Sequence, residues 1–315
     1  ITGGTGDDNM SGEAGIDTFT FATANLTSGD TISGGAGVDK ISMSDDATVI
    51  DSDFTNVTSV ETLTAAANKN IIATIGATAL ASGLVTVATT DTGAADNITV
   101  GAGYTGTLTV DLASDATAGN TVSAAATAGT LVVTAADDEL DSNASTLTGG
   151  TGTSDELKVT LTGGDDTILL TSVTAIEKIT TVGALGNITM VTLDANVASG
   201  KSLAVDATSM DGDVLNFDGS AELDGTFTVT ADGTGAHNVT LGNKNDTYTS
   251  TSTGIDTVIG TAGVNTISTG AGADVITGGT GVDTITGGAG ADAFTYTGVT
   301  QSNASNVDSI TDWTS

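Results

Sequence analysis

Short runs of alternating apolar and polar residues recur along the chain and predict β-strands. Four apolar pairs follow one another at intervals of 12 residues: Leu203/Val205, Leu215/Phe217, Phe227/Val229 and Val239/Leu241. Because side chains at i and i+2 share one face of a strand, each pair would face a core while its polar neighbours face water. Helical periodicity is not sustained in any segment, and β-branched Thr, Val and Ile favour strands. The pattern therefore predicts short strands that stack on one another at a 12-residue step.

Glycine-rich units of nine residues accompany these strands toward both ends of the chain. Five consecutive units run from Thr251 to Thr295: TSTGIDTVI, GTAGVNTIS, TGAGADVIT, GGTGVDTIT and GGAGADAFT. Glycine holds the fourth position, Asp or Asn the sixth and an apolar residue the eighth. The units GGTGDDNMS, GEAGIDTFT and GGAGVDKIS repeat this pattern from Gly3, Gly12 and Gly34. Glycine permits positive φ and close backbone approach, so each unit predicts a tight turn followed by a short strand.

A longer internal repeat divides the chain further. NVTSVETLT, which begins at Asn56, matches SVTAIEKIT, which begins 116 residues later at Ser172. We interpret this as a duplicated module and predict four segments. They are an N-terminal nonapeptide block (1–42), a first solenoid module (43–148), its duplicate (149–240), and a C-terminal nonapeptide block with a cap (241–315).

These repeats predict an all-β fold, namely a right-handed parallel β-solenoid, or β-roll, in which each coil contacts only its neighbours. The absence of proline suits such a fold, because nearly every backbone N–H must pair with an adjacent coil. Trp313, together with Ile310, is expected to cap the last coil.

The charge and composition exclude several functional classes. Asp and Glu number 39 against 6 Lys and Arg, so the net charge is −33, which would repel nucleic acid and anionic membranes. The chain has no cysteine, and no apolar run reaches the ~20 residues of a membrane-spanning helix. The single histidine, His237, lies in no metalloprotease motif, and no serine lies in a nucleophile elbow. We expect His237 to be a surface or turn residue, and we expect no enzymatic activity and no catalytic residue.

The nonapeptides carry the one recognisable chemistry. A tight glycine turn directs backbone carbonyls into a small space, and the acid at the sixth position adds a carboxylate. Such a set of hard oxygen ligands favours Ca²⁺, which accepts six to eight oxygens in flexible geometry, over Mg²⁺. Because five units keep the acid or its amide in register, we predict several calcium ions rather than plain polar turns.

The units GGTGVDTIT (278–286) and GGAGADAFT (287–295) resemble the repeats-in-toxin family, also called hemolysin-type calcium-binding repeats. The segment SNVDSITDWTS near the end resembles the one that closes such rolls. The resemblance implies that two nonapeptides form one coil and that each ion lies between loops 18 residues apart. It also implies that the ligands are carbonyls of the first four loop positions and the carboxylate at the sixth.

Transferred to this chain, the resemblance implies three sites in the C-terminal block. Site 1 comprises Gly270, Gly272, Asp274, Gly287, Ala289 and Asp292. Site 2 comprises Ser252, Gly254, Asp256, Thr269, Ala271 and Asp274. Site 3 comprises Thr261, Gly263, Asn265, Gly278, Thr280 and Asp283, and we expect weaker binding there because Asn265 replaces the acid.

In the N-terminal block, pairing of loops on the same side would join Asp8 with Asp30 and Asp17 with Asp39. The insertion at 21–24 interrupts the spacing there, so the ligand geometry stays open.

The duplicated modules resemble Gram-negative surface-layer (S-layer) proteins that carry such repeats. This resemblance implies an extracellular, cell-surface structural protein exported by type I secretion, which assembles with itself into a lattice or filament. It would be anchored to cell-surface polysaccharide by regions outside the chain, which we expect to be a piece of a longer protein. The alternatives are a repeat region of a secreted calcium-dependent adhesin and the stabilising β-roll tail of a secreted hydrolase.

Overall fold

The computed structural model describes residues 1–89, 95–112, 119–137, 140, 145–183 and 186–313. The contacts between residues divide the chain into two units, Ile1–Leu157 (unit 1) and Lys158–Ser315 (unit 2). The four segment boundaries expected from the sequence stay a prediction. The division falls inside one strand, β15 (Glu156–Thr160).

Unit 1 is built from short parallel strands. They are β1 (Asn9–Ser11), β2 (Thr18–Phe21), β3 (Thr31–Ser33), β4 (Lys40–Met43), β5 (Ala47–Ile50), β6 (Val57–Thr58), β7 (Thr62–Ala65), β8 (Ile71–Ile75), β9 (Thr86–Ala88), β10 (Asn97–Val100), β11 (Thr107–Leu112), β12 (Thr121–Ser123), β13 (Thr130–Ala136) and β14 (Thr146–Thr148). One sheet has the order β2-β4-β7-β9-β11-β13, a second has the order β5-β8-β10-β12-β14, and a third has the order β1-β3-β6. Successive coils therefore add one strand to each sheet they cross.

Unit 2 repeats this plan with two sheets. Its strands are β16 (Asp166–Leu169), β17 (Val173–Thr174), β18 (Lys178–Val182), β19 (Ile188–Val191), β20 (Ser202–Ala207), β21 (Leu215–Asp218), β22 (Thr226–Ala231), β23 (Asn238–Thr240), β24 (Thr247–Ser250), β25 (Thr257–Ile259), β26 (Thr266–Ser268), β27 (Val275–Thr277), β28 (Thr284–Thr286), β29 (Ala293–Phe294) and β30 (Ser309–Ile310). One sheet has the order β18-β20-β22-β24-β26-β28-β30, and the other has the order β16-β19-β21-β23-β25-β27-β29.

Each unit is thus an all-β parallel solenoid, which confirms the predicted fold class. Its right-handed sense stays a prediction. The core lies between the sheets and is filled by every second side chain of a strand, as in β22, where Phe227 and Val229 are buried. The apolar eighth positions of the nonapeptides fill it in the same way, since Val258, Ile267 and Ile276 are at most 1% exposed.

The 12-residue step expected to stack the strands directly was wrong. Leu203 in β20 pairs with Phe227 in β22, which lies two steps further along the chain. Phe217 lies between them in sequence, but its strand β21 belongs to the opposite sheet and pairs with β23. Because one coil contains a strand in each sheet, a 12-residue step advances only half a coil.

Helical structure in the described residues is limited to short turns. The 3₁₀ turns are Asp51–Phe54 and Asp194–Asn196, and the α-helix α1 covers Ala77–Ser82. The Asp51 carboxylate accepts backbone N–H groups at the start of α1 from Gly76 (2.8 Å) and Ala79 (2.9 Å). None of the helices in the described parts of the chain has the length and apolar character needed to cross a bilayer.

Candidate metal centre

The C-terminal nonapeptides form coils of two units each. Strand β25 pairs with β27 so that Thr257 lies opposite Val275, and β26 pairs with β28 so that Thr266 lies opposite Thr284. Loops 18 residues apart therefore stack on the same side of the solenoid. This places Asp256, Asp274 and Asp292 in one column and Asn265 and Asp283 in another, as the spacing predicted.

A hydrogen bond between side chain and backbone connects the loops within each column. The backbone N–H of Asp256 donates to Oδ1 of Asp274 (2.8 Å), and the N–H of Asp274 donates to Oδ1 of Asp292 (3.1 Å). In the other column, the N–H of Asn265 donates to Oδ1 of Asp283 (2.8 Å), and the N–H of Asp283 donates to Oδ1 of Asp308 (2.9 Å). One oxygen of each of these carboxylates thus accepts a hydrogen bond from the backbone of the preceding coil.

The second oxygen of these carboxylates is often left without a partner. The Oδ2 atoms of several such residues are buried and accept no hydrogen bond, among them those of Asp17, Asp39, Asp274, Asp283 and Asp308. A buried ionised oxygen without a donor is costly, so carboxylates in such places pair with a cation or take up a proton. The presence of these unpartnered oxygens in the structure fits a bound divalent cation.

Glycine keeps the loops close enough for this arrangement. Gly281, in the fourth position of its unit, has φ +145°, and a Cβ there would overlap the carbonyl oxygen of Gly263 one coil earlier. A Cβ on Gly278 would lie 2.6 Å from Oδ2 of Asp283. A residue with a side chain at position 278 would therefore fill the space beside the free oxygen of Asp283, where an ion would bind.

The residues of site 1 lie together as the resemblance implied. The Ala289 N–H donates to the Gly270 carbonyl (2.9 Å), and the Gly272 N–H donates to the Ala289 carbonyl (2.8 Å). The Gly287 carbonyl accepts the Thr269 hydroxyl (2.8 Å). Each of these carbonyls keeps its second lone pair, so the set with Asp274 and Asp292 would hold Ca²⁺ as hard oxygen ligands.

Site 2 differs in one carboxylate. Its loops are joined by the Ala271 N–H, which donates to the Ser252 carbonyl (2.8 Å). However, Oδ2 of Asp256 accepts the hydroxyl of buried Tyr248 (3.0 Å), while its Oδ1 accepts the N–H of His237 (2.9 Å). Burial raises the pKa of Asp256, and these hydrogen bonds act against that rise. The free carboxylate oxygen at site 2 is therefore that of Asp274.

At site 3 the side-chain amide of Asn265 stands where the other sites have a carboxylate. Oδ1 of Asn265 accepts the Asp246 N–H (3.0 Å), which fixes the orientation of the side chain, so that Nδ2 faces the Gly278 carbonyl (3.1 Å). The Asn265 amide thus donates to a carbonyl that was predicted to be a calcium ligand. The remaining predicted ligands of this site lie in the same two loops, which are also joined by the Thr280 N–H and the Thr261 carbonyl (3.2 Å).

The N-terminal block forms the two pairs expected from the sequence. The Asp8 N–H donates to Oδ1 of Asp30 (2.9 Å), and the Asp17 N–H donates to Oδ1 of Asp39 (2.7 Å), with a separation of 22 residues in both cases. Oδ2 of Asp30 accepts the Thr27 N–H (2.8 Å), so the first pair is satisfied within the protein. The Asp17 and Asp39 pair keeps two free buried oxygens. The extra residues thus lengthen the coil without separating the loops.

Sequence reasoning missed nonapeptides in which the consensus residues are replaced. Glu61 occupies the sixth position of NVTSVETLT, and its Oε2 accepts the Asp39 N–H (2.8 Å). Ser59, in the fourth position of that unit, has φ +54°, the conformation that glycine adopts elsewhere. The signal that could have revealed this unit is the acid at the sixth position followed by the apolar eighth residue.

His237, which was expected to be a surface or turn residue, lies in the turn before β23, but its side chain is fully buried and not at the surface. It occupies the sixth position of the altered unit DGTGAHNVT (232–240), directly before Asp256 in its column. Nδ1 accepts the Leu215 N–H (3.1 Å), and Nε2 lies 3.1 Å from the Asp232 carbonyl. The imidazole therefore replaces the carboxylate as the acceptor that connects two coils.

The closing segment adds a further turn to the C-terminal block. Ile310 in β30 pairs with Ile285 in β28, and Asp308 takes the sixth-position role beside Asp283. The ring of Trp313 lies 5.8 Å from that of Phe294 and is 66% exposed, so it covers only one edge of the last coil.

Comparison with family models identifies the repeats. The RTX calcium-binding nonapeptide repeat matches four segments of the chain: 1–19, 27–44, 250–285 and 259–294. These segments are members of that repeat family, and the recognition of RTX calcium-binding repeats is confirmed. Comparison with curated proteins and comparison with solved structures each gave no match.

Replacing Asn265 with Asp should create an ion site. Oδ1 would still accept the Asp246 N–H, but the second atom would change from a donor into an anionic oxygen facing the Gly278 carbonyl. We expect Asn265→Asp to bind one calcium ion more per chain than the unaltered protein, measured by equilibrium dialysis. The control is Asn245→Asp, which adds the same charge at an exposed loop residue. Equal stoichiometry for Asn265→Asp and the unaltered protein would contradict this assignment.

The calcium-free protein should gain stability as the pH falls. Burial raises the pKa of Asp246 and of Asp283 to about 6, above the ordinary 3.8. A group whose pKa is higher in the folded state destabilises that state above this value and ceases to do so once protonated. We expect calcium-free protein to show a higher denaturation midpoint near pH ~5 than above pH ~7, because the folded state binds the extra protons. A control with both residues replaced by Asn should lose most of this difference. A midpoint that falls on acidification would contradict the prediction.

Proposed function

We propose that this chain is an extracellular, calcium-stabilised structural protein that assembles with itself into a surface layer or filament. The observation that carries the proposal is the set of stacked carboxylates that accept a backbone N–H of the preceding coil through one oxygen, while the second oxygen, as in Asp274 and Asp283, is buried without a hydrogen-bond partner. The RTX repeats supply the calcium chemistry, and proteins with such repeats are typically secreted.

Calcium has two roles in this proposal. Within a column, two like charges about 4 Å apart repel by about 4 kcal/mol at an effective dielectric near 20. Bound Ca²⁺ removes this repulsion, and its binding free energy becomes folding free energy. The ion also lowers a net charge of −33, which opposes the meeting of two copies.

Exposed apolar residues beside the acids support self-association. The fifth position of a nonapeptide directly precedes the sixth-position acid and faces solvent. Ile16 is 80% exposed and Val38, in the next coil of unit 1, is 60% exposed. In unit 2, Val264 and Val282 also hold the fifth position in successive coils, before Asn265 and Asp283, and are 51% and 44% exposed. Apolar side chains in successive coils offer a surface for a second copy once the neighbouring acids are neutralised.

The proposal includes no catalysis, no nucleic-acid partner and no membrane span. Its partners are further copies of the chain, with cell-surface polysaccharide reached through regions outside it. Type I secretion belongs to the same proposal, as an inference from the repeat family. Adherence of a monomer to cells or glycans would instead favour the adhesin alternative.

Calcium should fold the chain. We expect calcium-free protein to be only partly folded and to gain β-sheet circular dichroism cooperatively when it is titrated with Ca²⁺, with no comparable gain from equal Mg²⁺, because Mg²⁺ demands tighter octahedral geometry. Replacing Asp274 with Asn should shift the midpoint to higher calcium, since it removes a free carboxylate oxygen. A spectrum that is the same in excess chelator and in calcium would contradict the link between binding and folding.

Calcium should also drive assembly. Electron microscopy of the purified chain should show lattices or filaments with calcium and dispersed particles without it. The double variant Ile16→Ser/Val38→Ser should bind calcium and fold but assemble less, because it removes the apolar contact. Val299→Ser/Val307→Ser is the matched control, since those side chains are also exposed (87% and 62%) but lie outside the nonapeptides. Folded, calcium-loaded protein that forms no ordered assembly would remove self-assembly from the proposal.

A further inference from the structure

A separate group of carboxylates lies in unit 2, away from the glycine-rich repeats. One oxygen each of Asp194, Glu222 and Asp224 lies within 4.8 Å of the other two. Two oxygens bound to the same Ca²⁺, at about 2.4 Å each, can be up to about 4.8 Å apart. The spacing therefore allows all three carboxylates to reach one ion without rearrangement of the backbone. None of the three lies in a segment matched by the nonapeptide family.

Glu222 provides an independent indication that this group receives a ligand. Its side chain is fully buried, and Oε1 accepts the N–H groups of Asp224 (3.0 Å) and Gly225 (2.6 Å). Oε2 is also buried and accepts no hydrogen bond. Rotation of the side chain cannot bring Oε2 to a hydrogen-bond donor, because the two N–H groups that bind Oε1 fix the carboxylate. Among the described residues, no lysine forms a salt bridge with any member of the group.

The two turns that carry the group are already joined. Asp194 starts the 3₁₀ turn 194–196, and its Oδ1 accepts the Leu223 N–H (2.9 Å) from the turn one coil later. The Gly200 N–H donates to the Asp224 carbonyl (3.1 Å). The acids are thus held by backbone contacts and face each other across two consecutive coils.

We propose that Asp194, Glu222 and Asp224 form a calcium site distinct from the nonapeptide sites. Glu222 supplies the buried oxygen, and exposed Asp194 and Asp224 supply oxygens at the rim, where water completes the coordination. Three carboxylates and water form a set of hard ligands, which Ca²⁺ accepts with variable geometry. The ion joins two coils of the region without glycine repeats, as the nonapeptide ions join coils at the C-terminal block.

The test is the number of calcium ions bound per chain, measured by equilibrium dialysis with elemental analysis. Asp194→Asn/Asp224→Asn should bind one ion fewer than the unaltered protein, and so should Glu222→Gln, which keeps the Oε1 hydrogen bonds. Asp211→Asn/Asp218→Asn is the matched control, because it removes the same charge from exposed residues of unit 2 outside the group. The control should bind as many ions as the unaltered protein.

A second measurement separates loss of the ion from loss of the fold. Each variant should keep the β-sheet circular dichroism of the unaltered protein in saturating calcium, since the nonapeptide sites remain. A crystal structure grown in calcium should show one ion between the three carboxylates. Unchanged stoichiometry in both the double variant and Glu222→Gln, or a site filled by water alone in that crystal, would overturn the assignment. Either result would leave the function proposed for the nonapeptides unaffected.

Discussion

The solenoid depends on a hydrogen bond between a turn side chain and the backbone of the preceding coil. Parallel strands satisfy their own N–H groups across the sheet, but the N–H at the tight turn before each strand needs another acceptor. The sixth-position side chain provides it, as Asp274 does for Asp256. A carboxylate has two oxygens, so such a bond leaves the second oxygen without a partner unless another donor reaches it, as the Thr27 N–H does at Asp30. The need for a cation follows from this surplus.

This surplus explains how the repeat varies along the chain. Asn265 keeps the acceptor for the neighbouring coil, and in place of the second carboxylate oxygen it has an amide N–H that donates to the Gly278 carbonyl in the loop one coil later. His237 keeps an acceptor nitrogen and adds no negative charge at that atom. In Asp256 the surplus oxygen is satisfied by the Tyr248 hydroxyl. Substitutions at one position thus set which turns keep a carboxylate oxygen without a donor, while the hydrogen bond that aligns the coils is retained at Asn265, His237 and Asp256.

The group around Glu222 obeys the same constraint without the glycine pattern. There too a carboxylate is fixed through one oxygen by backbone N–H groups, and its second oxygen is buried with nothing to donate to it. The two cases differ in what places a second acid beside the first. In the nonapeptides the fixed repeat length places the next acid in the same column, whereas Asp194 lies beside Glu222 because a turn one coil away contacts it, in a region where coil length is irregular. If both proposed kinds of site bind calcium, metal dependence is a property of how buried carboxylates are held, and the nonapeptide is one way to obtain it.

Much of the fold and of the metal chemistry follows from sequence periodicity, because a nonapeptide is a local unit whose turn and strand are fixed by residues nine apart. Gly281, Asp283 and Ile285 could each be given a role from position alone. The stacking partner could not be inferred where coil length varies: Leu203 pairs with Phe227 and not with the residue 12 positions on, since that residue crosses to the other sheet. Burial of His237, the Tyr248 contact to Asp256 and the approach of Asp194 to Glu222 depend on which turns the coils bring together. Those contacts join residues far apart in sequence, and a periodic pattern carries no information about them until the number of residues in every coil is known.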